Sequence, residues 1–318
     1  MDKRPETTAW VLCIALIALA LFSAARESFD AEESVEATRH AVELLRSEWR
    51  DGDGVVVLPG WDDGPYADLV SVTAETGPSL GGLIRGERID PVRLFTHERL
   101  WVLSRYGAVS ELPSVLISDI ESVDQRHSEA GVTLSLFELV DARPVAQLTD
   151  HVSELTVERR LDGGETRACP WRIGQHRCGL ASWLDVRVAT HNVNHRDVNW
   201  LFAHAGPDDA TLVITWPDVP RTEALILRAG FTQSSTRHQP GSSTLVRTYV
   251  DDLAQDEVWL APHRYGQATQ VISPPSGGEL MTVRIEVSAA SSSWRQVMIQ
   301  ANLFDALPAT LQQADGSP

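Results

Sequence analysis

Residues 9–25 read A-W-V-L-C-I-A-L-I-A-L-A-L-F-S-A-A, with Lys3 and Arg4 before them and Arg26, Glu27 and Asp30 after. A run this apolar is excluded from the surface of an aqueous domain, and its length lies at the lower edge of what crosses a bilayer as a helix. The cations on its short leading side orient that side inward, so the rest of the chain is expected to face the periplasm or exterior. The reading adopted is an uncleaved signal anchor. The alternative is a cleavable signal peptide, because Ser23 and Ala25 sit where a signal peptidase needs small side chains. In that case the protein is secreted.

Beyond this segment the composition is that of a folded protein, with 43% hydrophobic and 22% charged residues. A formal net charge of -17 repels phosphate backbones and anionic lipid headgroups, and no basic cluster stands out to reverse it, so nucleic-acid binding is excluded. Of three cysteines, Cys13 lies in the apolar run, while Cys169 and Cys178 bracket C-P-W-R-I-G-Q-H-R-C. In an oxidising compartment this pair reads as one disulfide, since the spacing is not C-x-x-C and no second pair completes a zinc site.

Val35, Thr38, Val42, Leu45 and Trp49 recur at alternating three- and four-residue steps, which predicts an amphipathic helix ending at Asp51-Gly-Asp-Gly. Strands are predicted at 55–58, 100–103 and 132–140, with helices over 112–130 and 144–161. That alternation suggests a small parallel or mixed sheet in an α/β, Rossmann-like domain. From Cys169 onward the texture changes to short strands separated by turns, at 185–190, 211–216, 224–229, 243–250, 281–288 and 295–303. This spacing predicts a β-sandwich or jelly roll. The expected organisation is therefore an α+β multidomain chain. Residues 1–26 form the anchor or signal, 27–161 the helix and α/β domain, 162–308 the β-sandwich, and 309–318 a frayed tail.

Asp53-Gly-Val-Val-Val-Leu-Pro-Gly-Trp61, then Tyr66, then Arg99-Leu-Trp-Val-Leu103 resemble the soluble region attached to bacterial membrane glycosyltransferases of the lipid-linked sugar donor type (GT-C). The resemblance implies an envelope-glycan context. It carries over no catalytic residue, because this chain has a single apolar segment in place of the multispan core. The β-rich half, with Ala229-Gly-Phe231, the strand 244–250 and Asp251-Asp252, resembles carbohydrate-binding jelly rolls. Sugar binding needs aromatic faces beside hydroxyl-bonding groups. The candidates are Trp259, His263, Arg264, Tyr265 and Trp294, against the alternative that the tryptophans fill the sandwich core.

Gly77-Pro-Ser-Leu-Gly81 matches G-x-S-x-G and makes Ser79 the one candidate nucleophile, of a serine esterase. Only one crossover fits between Gly60 and Ser79, and Pro78 disfavours a strand before the serine. His191, His195 and His204 could hold zinc, but no carboxylate or cysteine completes the set. The doublets Asp62-Asp63, Asp208-Asp209 and Asp251-Asp252 lack the spacing of a calcium loop, and no phosphate-cradling motif occurs. No cofactor is implied. The reading is an extracytoplasmic binding or accessory protein that partners envelope glycans or glycan-assembly proteins without catalysis. The alternatives are the Ser79 esterase and a structural envelope scaffold.

Overall fold

The computed structural model describes residues 33–50, 52–59, 83–85, 94–95, 97–105, 119–140, 143–179, 181–194, 196–205, 210–237, 242–262, 266–291 and 295–307. The chain divides into two compact units, residues 1–141 and 142–318. The apolar run 9–25 lies outside the described residues, and among those residues no helix is long and apolar enough to cross a membrane.

In the first unit, helix α1 spans 33–48. Its buried stripe is Ala37, Ala41, Val42 and Leu45, whereas Val35, expected inside, is 52% exposed. The stripe is rotated because alanines at a four-residue step let the helix approach a sheet closely. The buried Thr38 hydroxyl donates back to the Ser34 carbonyl at 2.7 Å. The sheet consists of β1 (Gly54–Leu58), β2 (Leu83–Arg85), β3 (Arg99–Arg105), β4 (Ile120–Glu129) and β5 (Val132–Leu139), in the order β2-β1-β3-β5-β4. Val55, Val57, Trp101, Leu103, Leu134 and Leu136 pack with the helix stripe, and Val56, Leu58, Leu100 and Val102 are buried on the opposite face.

This sheet takes the mixed form of the two expected and corrects one expectation. β2-β1-β3 is parallel, but β3-β5-β4 is antiparallel, so the described strands do not form the all-parallel sheet of a Rossmann domain. The helix expected over 112–130 is replaced, from Ile120, by the outer arm of a hairpin. Its two-residue turn, Ala130 (φ 46) and Gly131 (φ 76), has the positive dihedrals that match strand twist.

A buried polar knot holds the end of α1 to β3. Arg99 donates to Asp53 through Nε at 2.8 Å and Nη2 at 2.6 Å, and to the Glu48 carbonyl at 3.0 Å. Trp101 Nε1 and the Arg50 amide donate to the same carboxylate at 2.9 and 3.0 Å. A buried carboxylate is tolerable here because its lone pairs are filled by charged and neutral donors together.

The second unit is a sandwich of antiparallel sheets. Its strands are β6 (Ala146–Gln147), β7 (Thr156–Arg160), β8 (Thr166–Ala168), β9 (Trp171–Arg172), β10 (Gln175–His176), β11 (Arg187–Val193), β12 (Arg196–His204), β13 (Thr211–Pro220), β14 (Ala224–Phe231), β15 (Thr244–Val250), β16 (Leu253–Leu260), β17 (Gln267–Ile272), β18 (Leu280–Ala289) and β19 (Gln296–Phe304). One sheet runs β11-β12-β19-β14-β17 with β6 beside β19; the other runs β16-β15-β18-β13-β7-β8. From β13 onward the chain repeatedly changes sheets, as in a jelly roll. Alternate residues fill one core: Leu225, Leu227, Ala229, Val297, Ile299 and Ala301 from the first sheet meet Leu212, Ile214, Val246, Val283, Ile285 and Val287 from the second.

Residues 142–161, expected in the α/β domain as a helix, belong to this sandwich. β6 pairs with β19, and β7 pairs with β13 and β8. The three- and four-residue spacing of Val145, Leu148, Val152 and Leu155 imitates a helix, but a short 3-10 turn (Leu148–His151) and a strand bury Leu148, Leu155 and Val157 instead. Cys169 and Cys178 form the expected disulfide. The tail 309–318 lies outside the described residues.

Candidate functional site

β15 and β16 form a hairpin about Asp251 (φ 49) and Asp252 (φ 63), so this aspartate doublet makes a two-residue turn. Both carboxylates are committed. Asp251 accepts from the Thr282 amide at 2.9 Å and pairs with Arg221, which holds its carboxyl below the usual range; Asp252 pairs with Arg284. That use as turn and ion-pair residues explains the doublet without a metal.

Past the turn the ladder slips by one residue at Gln255, a β-bulge between the Thr248–Asp256 and Tyr249–Ala254 pairs. The slip decides which side chains share the outer face. In an unbulged ladder Arg247 would face Asp256 and Trp259 would face Thr244, which points inward. With the bulge, Arg247 faces Glu257 and Trp259 faces Leu245, on the side away from the core. Trp259 is 59% exposed. It does not fill the core, and its indole is free to cover the apolar face of a flat ligand.

Beside it, Arg247, Tyr249, Ala254, Gln255, Asp256 and Glu257 line an open depression of about 310 Å³, near the lower limit for small-molecule sites. Its floor is held by a charge ladder across β16, β15 and β18. Arg247 Nε donates to Glu257 at 3.0 Å, and Arg284 lies over the Tyr249 ring at 4.2 Å. Glu286 receives Arg284 at 3.4 Å and Arg160 at 3.2 Å, and the Tyr249 hydroxyl donates to it at 3.4 Å. Rigid donors and acceptors at one end and an exposed indole at the other suit a polyhydroxylated ligand.

The other sequence candidates fall as follows. His263, Arg264, Tyr265, Trp294 and Ser79 lie outside the described residues. Thr244 pairs with both Leu260 and Ala289, the last residues of β16 and β18. His191 packs on Phe202 at 5.2 Å, and burial together with Arg187 lowers its pKa. His204 is buried, bonds the Ala205 carbonyl through Nδ1 at 2.6 Å and packs edge-on to Trp183, and burial pushes its pKa down to about 4. His195, Asp62-Asp63 and Asp208-Asp209 lie outside the described residues. Among the described residues no three His, Cys, Asp or Glu side chains group as metal ligands.

The sequence reading named Trp259 but not the wall of the depression. The signal was present: reflecting β15 onto β16 about Asp251-Asp252 brings Arg247 and Tyr249 against 254–257, and only the bulge, which has no sequence signature, leaves the pairing off by one.

No protein-family model matches the chain, and no curated protein matches it. Solved structures with similar strand arrangements include the CBM51-2 and INT domains of Clostridium perfringens ZmpB (TM-score 0.27, 8% identity, 64% of this chain and 33% of that one). They also include the CBM51 of Clostridium perfringens GH95 in complex with methyl-galactose (TM-score 0.28, 14% identity, 36% and 80%). A third is the mannan-recognising carbohydrate-binding module TmCBM27 (TM-score 0.31, 8% identity, 52% and 99%). The chain spans about a third of the length of the ZmpB structure. At these scores the likeness assigns neither ligand nor site, and no similarity to the GT-C glycosyltransferases is shown.

Proposed function

We propose that the sandwich unit binds carbohydrate without catalysis, on the outer face of the β15–β16 hairpin. The observation that carries this is Trp259, an exposed indole placed by a bulge on the same face as a polar depression lined by Arg247, Tyr249, Gln255, Asp256 and Glu257. Stacking on the indole supplies apolar contact for a pyranose ring. The fixed carboxylates, guanidinium and amide supply acceptors and donors for its hydroxyls. The mixed charge of the lining favours neutral over strongly anionic sugars.

His263, Arg264, Tyr265 and Trp294, which follow β16 and β18 in the sequence, are retained as further candidate contacts. The proposed setting is extracytoplasmic, with residues 9–25 as anchor or signal and cell-envelope glycans or their assembly proteins as partners. The Cys169–Cys178 disulfide supports an oxidising compartment. Screening the full chain against an array of neutral and acidic glycans tests the proposal. Binding to a defined neutral glycan series is expected, and absence of binding across the array would overturn it.

A further inference from the structure

A second surface is carried by the β9–β10 hairpin, a two-stranded sheet of its own. The β9–β10 hairpin is closed at its base by the Cys169–Cys178 disulfide. The same base is pinned by the buried His176, whose Nδ1 lies 3.1 Å from the Cys169 carbonyl and whose Nε2 lies 2.8 Å from the Val152 carbonyl. Trp171 packs against the His176 ring at 5.0 Å and remains 37% exposed. At the tip, Ile173 is 97% exposed and holds φ 47, a left-handed conformation that a β-branched residue adopts only at a cost. A strained, fully solvated isoleucine on a doubly fastened hairpin is poorly explained by folding alone, because the core gains nothing from it.

The hairpin segment itself differs in charge from the chain as a whole. Residues 166–179 contain Arg167, Arg172 and Arg177 and no carboxylate, in a chain of net charge -17. Arg167 is paired with Glu165. Arg172 and Arg177 are exposed and have no ion-pair partner among the described residues. A rigid tip that presents Ile and Trp side chains flanked by free guanidiniums has the makeup of an interfacial anchor. Its apolar side chains enter the headgroup boundary and its cations meet anionic headgroups.

We infer that the β9–β10 hairpin docks on an anionic lipid surface, a reading that stands or falls independently of the glycan site. The hairpin fixes how the sandwich faces the bilayer, whatever tethers the chain to it.

The test is hydrogen exchange of the peptide covering residues 171–176 in the full chain, free and bound to vesicles of phosphatidylcholine alone or of phosphatidylcholine with phosphatidylglycerol. On phosphatidylglycerol vesicles the peptide is expected to exchange at least threefold more slowly, with no slowing on phosphatidylcholine. Both Ile173→Ser and the double substitution Arg172→Glu/Arg177→Glu should abolish the difference, while peptides of β13 and β18 exchange as before. Identical exchange in all three conditions would overturn the proposal. Slowing that is lost in the arginine variant but kept in Ile173→Ser would also overturn it, because the tip would then insert no apolar side chain.

Discussion

Arg247 and Glu257 face each other across the β15–β16 ladder, their Nε–Oε2 distance is 3.0 Å, and they meet only because the bulge at Gln255 shifts the register by one. Both side chains are about half exposed. Such a pair contributes within about 1 kcal/mol to stability. Arg247→Ala should therefore leave the urea midpoint nearly unchanged while weakening glycan affinity by roughly tenfold, about 1.4 kcal/mol. Calorimetric titration beside an unfolding curve separates the two effects.

Asp53 behaves in the opposite way. Its carboxylate is buried and answers Arg99, Trp101 and the Arg50 amide. Asp53→Ala leaves the Arg99 guanidinium buried without its partner, a change expected to cost about 3–5 kcal/mol. Hydrogen exchange across 99–105 should rise sharply in this variant, while the peptides of β15 and β16 stay as in the parent. Unchanged protection of 99–105 would remove Asp53 from the framework of the first unit.

His204 makes stability depend on acid. Burial, with Arg159 and Arg295 nearby, holds its folded-state pKa down at about 4, against an unfolded value near 6.5. Between those limits the unfolded chain binds a proton that the folded chain refuses, so stability is intact above about pH 6.5 and falls as the pH drops toward 4. The loss by pH 4 is expected to be on the order of 3 kcal/mol. Urea unfolding at pH 7, 5.5 and 4.5 should show a shallower decline in His204→Gln than in the parent, and equal slopes would contradict this role.

The Cys169–Cys178 bridge closes a short loop, so its removal should destabilise the sandwich by about 2–3 kcal/mol. Cys169→Ser/Cys178→Ser is expected to lower the unfolding midpoint. Retention of the parent midpoint would show that the His176 hydrogen bonds alone hold the hairpin base.

Sequence pattern disclosed the sandwich where strands bury every second residue. The predicted spans 211–216, 224–229, 243–250, 281–288 and 295–303 lie within or beside β13, β14, β15, β18 and β19, whose inward residues are mostly Val, Leu, Ile and Ala. Strands with little burial escaped it. β16 buries only Leu260, and β4 buries no residue fully, so neither shows the alternation that identifies a strand. The helix over 144–161 was a false period, created by apolar residues that a 3-10 turn and a strand bury equally well. At the site, Trp259 was legible as an aromatic residue near a strand end. Whether it points inward or outward is set by one bulge residue, and a one-residue slip reverses every side chain beyond it.

The most direct measurement is calorimetric titration of the full chain and of Trp259→Ala with the tightest glycan from the array, each checked for an unaltered unfolding midpoint. If the indole is the stacking platform, its removal should weaken binding by about thirtyfold, the roughly 2 kcal/mol expected of an aromatic hot spot. Equal affinity in both proteins would contradict a carbohydrate site on the β15–β16 face.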